Sequence, residues 1–269
     1  MKRILIAFQF LTIIPIRVGG RVSENDISLS AVFFPLVGFI QGAVLAAISF
    51  FCLKVFSPAV TSVLVIAVYL LSNGAFHQDG LSDTVDALSV KSTGDTKKDR
   101  AKRLAVMRDP TAGPIGVVAI VINLLLKFVL LNEVLKAQHG HSFLSPAMLL
   151  MPAVAAWSMT MMMPGAGSAR SDGLGKIFLG RIKVGHAFLA SILLICLASI
   201  GYLMSGYPGY DSAGRYSLFF LAASVAALCG GLVLRRLCTV RFGGLTGDNL
   251  GAIHEAAETL LLITATLCF

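Results

Sequence analysis

The sequence predicts an all-α protein, a polytopic membrane helical bundle of six to seven spans forming a single domain over residues 1–269, with its chemistry on the cytoplasmic side. Three observations carry this. Hydrophobic residues make up 56% of the chain and charged residues 13%, with a mean hydropathy of +0.83; a soluble domain carries about 25% charged residues. The apolar runs recur along the whole chain and are continuous, whereas a barrel needs alternating segments of about ten residues. Finally, the basic residues cluster in every second interval between those runs, as the cytoplasmic loops of a helical membrane protein do.

Taken in order, residues 4–16, "ILIAFQFLTIIPI", are apolar but too short for a bilayer core, which needs about 20 helical residues. The "MKR" start looks like a signal peptide, yet no A-x-A-like site follows, so an interfacial helix broken at Pro15 is the better reading. Spans are expected near 31–53, 58–76, 114–135, 143–163, 185–204 and 216–234. A last apolar piece from Ala252 to Phe269 carries Glu255 and Glu258 in its first two turns, and is expected to cross only in part.

Of the 22 lysines and arginines, 18 fall in the N-terminal segment and in 77–109, 165–184 and 235–250. Only Lys54, Lys136 and Arg215 fall in the opposite loops, and Lys127 lies inside a span. With the N-terminus inside, alternating spans put every basic segment on one side, the cytoplasmic one. The net charge of +8 then reflects loop bias, and no nucleic-acid partner is expected. Cys238, flanked by Arg235, Arg236 and Arg241, is expected to face the cytoplasm. The five cysteines are scattered and form no C-x-x-C pair, so neither disulfide nor zinc is indicated.

The acids sit on the same side. In "NGAFHQDGLSDTVDAL", residues 73–88, Asp79, Asp83 and Asp86 are spaced i, i+4, i+7 and share one face of a helix. Like charges at that spacing repel, and a divalent cation turns the repulsion into coordination; Mg2+ takes carboxylate oxygens together with waters and substrate phosphates. The plain alternative is a solvated helix face. His77 suits substrate contact or proton transfer better than ligation of a hard cation. Asp109 joins His77 and the three acids as a candidate catalytic group. Candidate substrate-binding residues are Arg108, Arg170, Lys176, Asp248 and Asn249. Arg108 precedes a Pro/Gly turn whose following helix would aim free N–H groups at phosphate. Arg170 and Lys176 lie in "SARSDGLGK", where an arginine fork suits phosphate oxygens but positive-inside charge explains them equally. Asp248 and Asn249 lie in "GGLTGDNLGA", a glycine-rich loop matching neither common nucleotide-binding pattern. Lys127 is costly within a span unless paired, and its partner is not evident. The Met-rich "MLLMPAVAAWSMTMMMP" reads as lipid-facing or adaptable packing. The residues alone therefore describe a membrane enzyme that handles a phosphorylated substrate with a divalent metal at the cytoplasmic interface.

The chain resembles the cobalamin synthase family, the adenosylcobinamide-GDP ribazoletransferases. The blocks that carry the likeness are "FLTIIPI", "FFPLVGFIQG", "HQDGLSDTVDAL", "RLAVMRDPTAGPIGVVA", "ARSDGLG" and "GGLTGDNLGA", in order over nearly the whole length. Ala87 stands where glycine is common, Leu245 where arginine is common and Asn249 where threonine is common; Leu245 leaves that loop without a phosphate-binding arginine. The resemblance implies that adenosylcobinamide-GDP and α-ribazole, or its 5′-phosphate, become adenosylcobalamin, or its 5′-phosphate, and GMP, with Mg2+ as cofactor, in the inner membrane of a prokaryote. The lipid bilayer is a partner, and a homo-oligomer is left open. Two rivals stand beside it. Another membrane transferase, of the CDP-alcohol phosphotransferase or prenyltransferase kind, would release a different nucleotide or none. A transporter would place polar groups near the bilayer midplane, whereas the expectation here gathers them at one interface.

Overall fold

A computed structural model describes residues 1–138, 144–205 and 210–268. Among these residues the regular structure is helical: α1 (Lys2–Leu11), α2 (Glu24–Ser30), α3 (Phe34–Cys52), α4 (Pro58–Asn73), α5 (Phe76–Ser89), α6 (Thr96–Val106), α7 (Pro114–Gln138), α8 (Pro146–Met162), α9 (Leu174–Phe178), α10 (Val184–Ser205), α11 (Tyr210–Phe242) and α12 (Gly247–Cys268). Five stretches are long and apolar enough to cross a membrane: Glu24–Cys52, Pro114–Ala137, Val184–Met204, Ala213–Phe242 and Gly247–Cys268. A sixth crossing follows if α4 and α5, bent by 87° at their junction, count as one pair. Residues 143 and 269, where two expected spans began and ended, lie outside the described residues.

α8 occupies the centre of the bundle. It has 17 residues, and all but Met161 are buried. The Met-rich stretch is therefore packing material, and the lipid-facing reading is corrected. α3 lies close against it because Gly38 and Gly42, one turn apart, meet its backbone directly. A Cβ at Gly38 would come 2.7 Å from the Ala153 nitrogen, and one at Gly42 would come 2.7 Å from the Met148 carbonyl. Small residues in this spacing let membrane helices approach closely.

α12 is longer than the sequence suggested. It starts at Gly247 rather than near Ala252 and runs unbroken for 22 residues. Its two glutamates are buried by partners from other helices, so charge does not shorten it. α11 has 33 residues, about 50 Å of helix at 1.5 Å per residue. Its C-terminal end, with Arg235, Arg236 and Arg241, meets α6, where Arg100 donates to the Val240 carbonyl and Arg103 to the Arg241 carbonyl, both at 3.4 Å.

The basic segments do gather at one end of the bundle. Residues 167–169 pair with Leu245 through Ala169 N–H to Leu245 O at 2.8 Å and Leu245 N–H to Gly167 O at 2.9 Å. Arg181 binds Glu24, and Ile13 N–H donates to Ser72 O at 2.9 Å. The N-terminal helix ends at Leu11, where Thr12 turns extended, a few residues ahead of Pro15. Phe10 on α1 stacks on Phe34 at 5.4 Å and meets Phe178 edge-on at 4.9 Å, which anchors α1 over this end.

Candidate active site

The site forms where α5 crosses the start of α12. The α4–α5 corner is made by Gly74 and Ala75, both in the left-handed region with φ of 65° and 55°. α5 then leaves the line of α4 and runs along the end of the bundle, where its polar sequence, FHQDGLSDTVDALS, belongs. The crossing is a backbone contact. A Cβ at Gly80 would sit 2.7 Å from the Asp248 carbonyl, and one at Gly251 would sit 3.3 Å from His77 Cα. Glycine at both positions brings Asp79 and Asp83 beside Asp248.

α12 is started by a reciprocal cap. Thr246 Oγ1 accepts from Asn249 N at 3.2 Å, and Asn249 Oδ1 accepts from Thr246 N at 2.9 Å. Asn249 Nδ2 donates to Thr84 Oγ1 at 3.0 Å, and the residue is fully buried. The expectation that Asn249 binds substrate is corrected on this ground: both ends of its amide are engaged inside the protein.

Asp86 also departs from expectation. Its two oxygens accept from Gly113 N at 2.7 Å and Gly116 N at 2.8 Å, so it caps the start of α7. A Cβ at Gly113 would fall 2.5 Å from that carboxylate. The helix N-terminus read as a seat for phosphate is thus held by the protein's own anion, which satisfies the orphan N–H groups and the helix dipole. The i, i+4, i+7 stripe splits in consequence, with Asp86 turned to α7.

The remaining polar groups border a cleft of about 210 Å³ lined by His77, Asp79, Arg170, Asp172, Lys176 and Asp248 on its polar side, with Phe10, Phe76 and Leu250 among its apolar walls. Arg170 Nη1 lies 3.0 Å from Asp248 Oδ2, and its Nη2 donates to Met107 O at 3.1 Å. Its Nε is buried without a protein partner. Arg108 donates to both oxygens of Asp172, at 2.8 and 3.0 Å, in an exposed pair. Lys176 Nζ donates to Ser171 O at 2.6 Å. Asp109 closes an exposed turn onto Thr111, accepting from its N at 2.9 Å and its hydroxyl at 2.5 Å, and these hydrogen bonds lower its pKa. Asp109 is not among the residues that line the cleft.

Asp83 is half-buried. Burial first, and then the charges of Asp79 and Asp248, push its carboxyl up to about 7, against the opposing pull of Arg170. Three carboxylates with one guanidinium among them are short of positive charge. Oxygen donors alone suit a hard divalent cation such as Mg2+, and the coupling of Asp83 to Asp79 and Asp248 puts Asp248 beside the α5 acids where the sequence reading had Asp86.

A second polar group lies deeper and was not foreseen. Lys127 Nζ is 2.5 Å from Glu255 Oε2 and also binds Glu258. Glu255 further accepts from Gln78 and Asn123, each at 2.6 Å, and Glu258 accepts from the Tyr69 hydroxyl. These side chains are buried between α4, α5, α7 and α12, so polar groups are not confined to one interface as the sequence suggested. His254, Glu255 and Glu258 bring potential metal-ligating atoms within 4.8 Å of one another. The Lys127 ammonium already supplies a cation to both glutamates there. The His254 ring stacks on His77 with centroids 3.9 Å apart and planes at 23°. The signal for this cluster in the sequence was the unpaired lysine in a span together with two glutamates four and seven residues into the last apolar piece.

A family model described as cobalamin-5-phosphate synthase matches residues 3–266. Among similar curated proteins, the adenosylcobinamide-GDP ribazoletransferase of Thermodesulfovibrio yellowstonii is 31% identical over 98% of this chain and 95% of its own length. Those of Geotalea daltonii and Pseudomonas savastanoi pv. phaseolicola are each 34% identical, over 98% and 97% of this chain and 96% and 98% of their own lengths. No solved structure matches the chain.

Proposed function

Because the chain belongs to the cobalamin-5-phosphate synthase family, we propose that it joins adenosylcobinamide-GDP to α-ribazole, or to α-ribazole 5′-phosphate, and releases GMP. The observation that carries the reading is the cleft, which Asp79, Asp248, Arg170 and Lys176 line together. In this reaction a ribose hydroxyl oxygen of the ribazole, other than the 5′-oxygen that carries the phosphate in α-ribazole 5′-phosphate, forms a bond to the phosphorus attached to cobinamide. The bond from that phosphorus to the oxygen of GMP breaks, and the hydroxyl proton passes to a base. The products are the cobalamin phosphodiester and GMP.

Asp79, Asp83 and Asp248 would hold Mg2+, which supplies charge neutralisation for the pyrophosphate and the departing phosphate. Arg170 keeps Asp248 in place and sets a positive charge at the wall of the cleft, which suits a phosphate. Lys176 lines the same opening and suits the nucleotide phosphates, and Arg108 stands behind it on Asp172. His77 and Asp79 face the cleft as candidate bases for the hydroxyl proton. The basic end of the bundle is read as the cytoplasmic side of a prokaryotic inner membrane, because positive loops stay inside.

The test is purified protein in detergent with Mg2+, adenosylcobinamide-GDP and α-ribazole. GMP and adenosylcobalamin should form one for one. Release of GDP, or of CMP from a CDP-alcohol in place of this reaction, would overturn the reading.

A further inference from the structure

The end of α5 that presents His77 and Asp79 to the cleft is held from behind. No side chain caps the helix start, and the residue before it, Ala75, is left-handed with φ 55°. That conformation is unfavourable for a residue that carries a Cβ. Local backbone preference therefore does not fix this turn, and tertiary contacts must. Besides the packing of Gly251 on His77 and the hydrogen bond from Ala75 N to Asn73 Oδ1 at 2.9 Å, two side chains outside the lining of the cleft reach it. Gln78, 4% exposed, donates Nε2 to Glu255 Oε2 at 2.6 Å. His254, 2% exposed, lays its ring on that of His77 at 3.9 Å, and its Nδ1 lies 3.4 Å from Glu258 Oε1. Both contacts come from successive residues of α12, and Glu255 is itself fixed by Lys127 and Asn123.

We propose that Gln78 and His254 are positioning residues. Gln78 ties the first turn of α5 to the buried ion cluster, and His254 gives His77 a flat surface to rest on. Together they set the direction in which His77 and Asp79 face the cleft. Neither touches substrate. The inference rests on the cleft being the reaction site proposed above. A misplacement of about 1 Å at a reacting group costs on the order of a hundredfold in rate, so loosening this turn should reach the chemistry.

The test compares full-length Gln78→Met, His254→Leu and His254→Phe with the native protein in detergent. Three quantities are read: kcat and KM, affinity for Mn2+ by electron paramagnetic resonance, and the melting midpoint. Gln78→Met and His254→Leu should lower kcat by about ten- to a hundredfold, weaken Mn2+ binding and leave KM near native; His254→Leu should keep the melting midpoint near native, while Gln78→Met should fold with a lowered one because Glu255 loses a donor. His254→Phe keeps a flat ring and should stay close to native in all three. Native kcat and Mn2+ affinity in both Gln78→Met and His254→Leu would overturn the proposal. So would a loss in His254→Phe equal to that in His254→Leu. Failure of both Gln78→Met and His254→Leu to fold would also overturn it, by making these contacts supports of the fold as a whole. If the native protein binds Mn2+ but forms no GMP, the reaction reading falls, and the Mn2+ affinities of the variants still decide the positioning role.

Discussion

Lys127 Nζ lies 2.5 Å from Glu255 Oε2, deep between α7 and α12, and the same ammonium is shared with Glu258. Two carboxylates and one ammonium in so dry a place hold together only because neutral donors complete the set: Asn123 and Gln78 to Glu255, Tyr69 to Glu258. Desolvating three charges is expensive, and the mutual attraction together with these hydrogen bonds offsets it.

Removing one partner should therefore cost more than the pair is worth. Lys127→Met leaves two carboxylates buried without a counter-charge and should destabilise the protein by roughly 3–5 kcal/mol. Adding Glu258→Gln to that variant should recover part of the loss. Thermal unfolding in detergent reads both, and a native melting midpoint for Lys127→Met would rule out the cluster.

Asp83→Asn should abolish turnover with the fold intact. The amide keeps the shape and one oxygen but removes a negative charge from a group of three carboxylates beside one guanidinium. Phosphoryl transfer depends chiefly on positioning and charge neutralisation, and several kcal/mol of lost stabilisation correspond to a thousandfold or more in rate, on the order of the effect expected. Turnover is measured against Mg2+ concentration, with gel filtration as the folding check. Near-native turnover at the ordinary Mg2+ requirement would remove Asp83 from the metal site.

Asp86→Asn should behave differently. Both Asp86 oxygens receive N–H groups of α7, and an amide can accept at only one of them. The expected loss is about 1–2 kcal/mol of stability, the scale of a lost helix cap, with an unchanged Mg2+ requirement. A raised Mg2+ requirement like that of Asp83→Asn would return Asp86 to the metal set.

Asp99 gives a pH signature at the edge of the protein. It accepts from the Ser92 hydroxyl, from Thr93 N at 2.9 Å and from the Thr93 hydroxyl at 2.7 Å. The Ser92 bond first, and then the two from Thr93, lower its pKa to about 2 from the ordinary 3.8. A depressed carboxyl stabilises the folded loop above the unfolded value, and the contribution is lost as pH falls from 3.8 through about 2. Amide exchange at Thr93 should accelerate, beyond the intrinsic pH effect, across that window. Asp99→Asn should show the weaker protection at neutral pH and no such transition.

Orientation can be read by labelling, though not at Cys238, which is 1% exposed and closed to reagents despite its arginine neighbours. With the five native cysteines replaced, Lys98→Cys and Lys54→Cys sit at exposed places near opposite ends of the bundle. In right-side-out vesicles Lys54→Cys should label from outside, and Lys98→Cys only after permeabilisation. The reverse pattern would invert the topology.

What the sequence determined by itself follows from composition and periodic charge. Continuous apolar runs specify membrane helices because unpaired backbone groups are intolerable in lipid. The alternation of basic segments placed Arg108, Arg170, Lys176 and Asp248 at one end of the bundle with the α5 acids, and there they lie. Ordered motifs over nearly the whole length identified the family. Only the tertiary structure decided which side chains meet. The spacing of Asp79, Asp83 and Asp86 defines a face of α5, but a helix face does not say which neighbour each residue will find. Asp86 meets the start of α7, while Asp83 lies close to Asp248 of α12. Lys127 announced in the sequence that it needed a partner, and Glu255 and Glu258 lie more than a hundred residues further on. Pairing at that separation depends on helix packing, set by close contacts such as Gly80 on Asp248 and Gly251 on His77, and no local pattern encodes it.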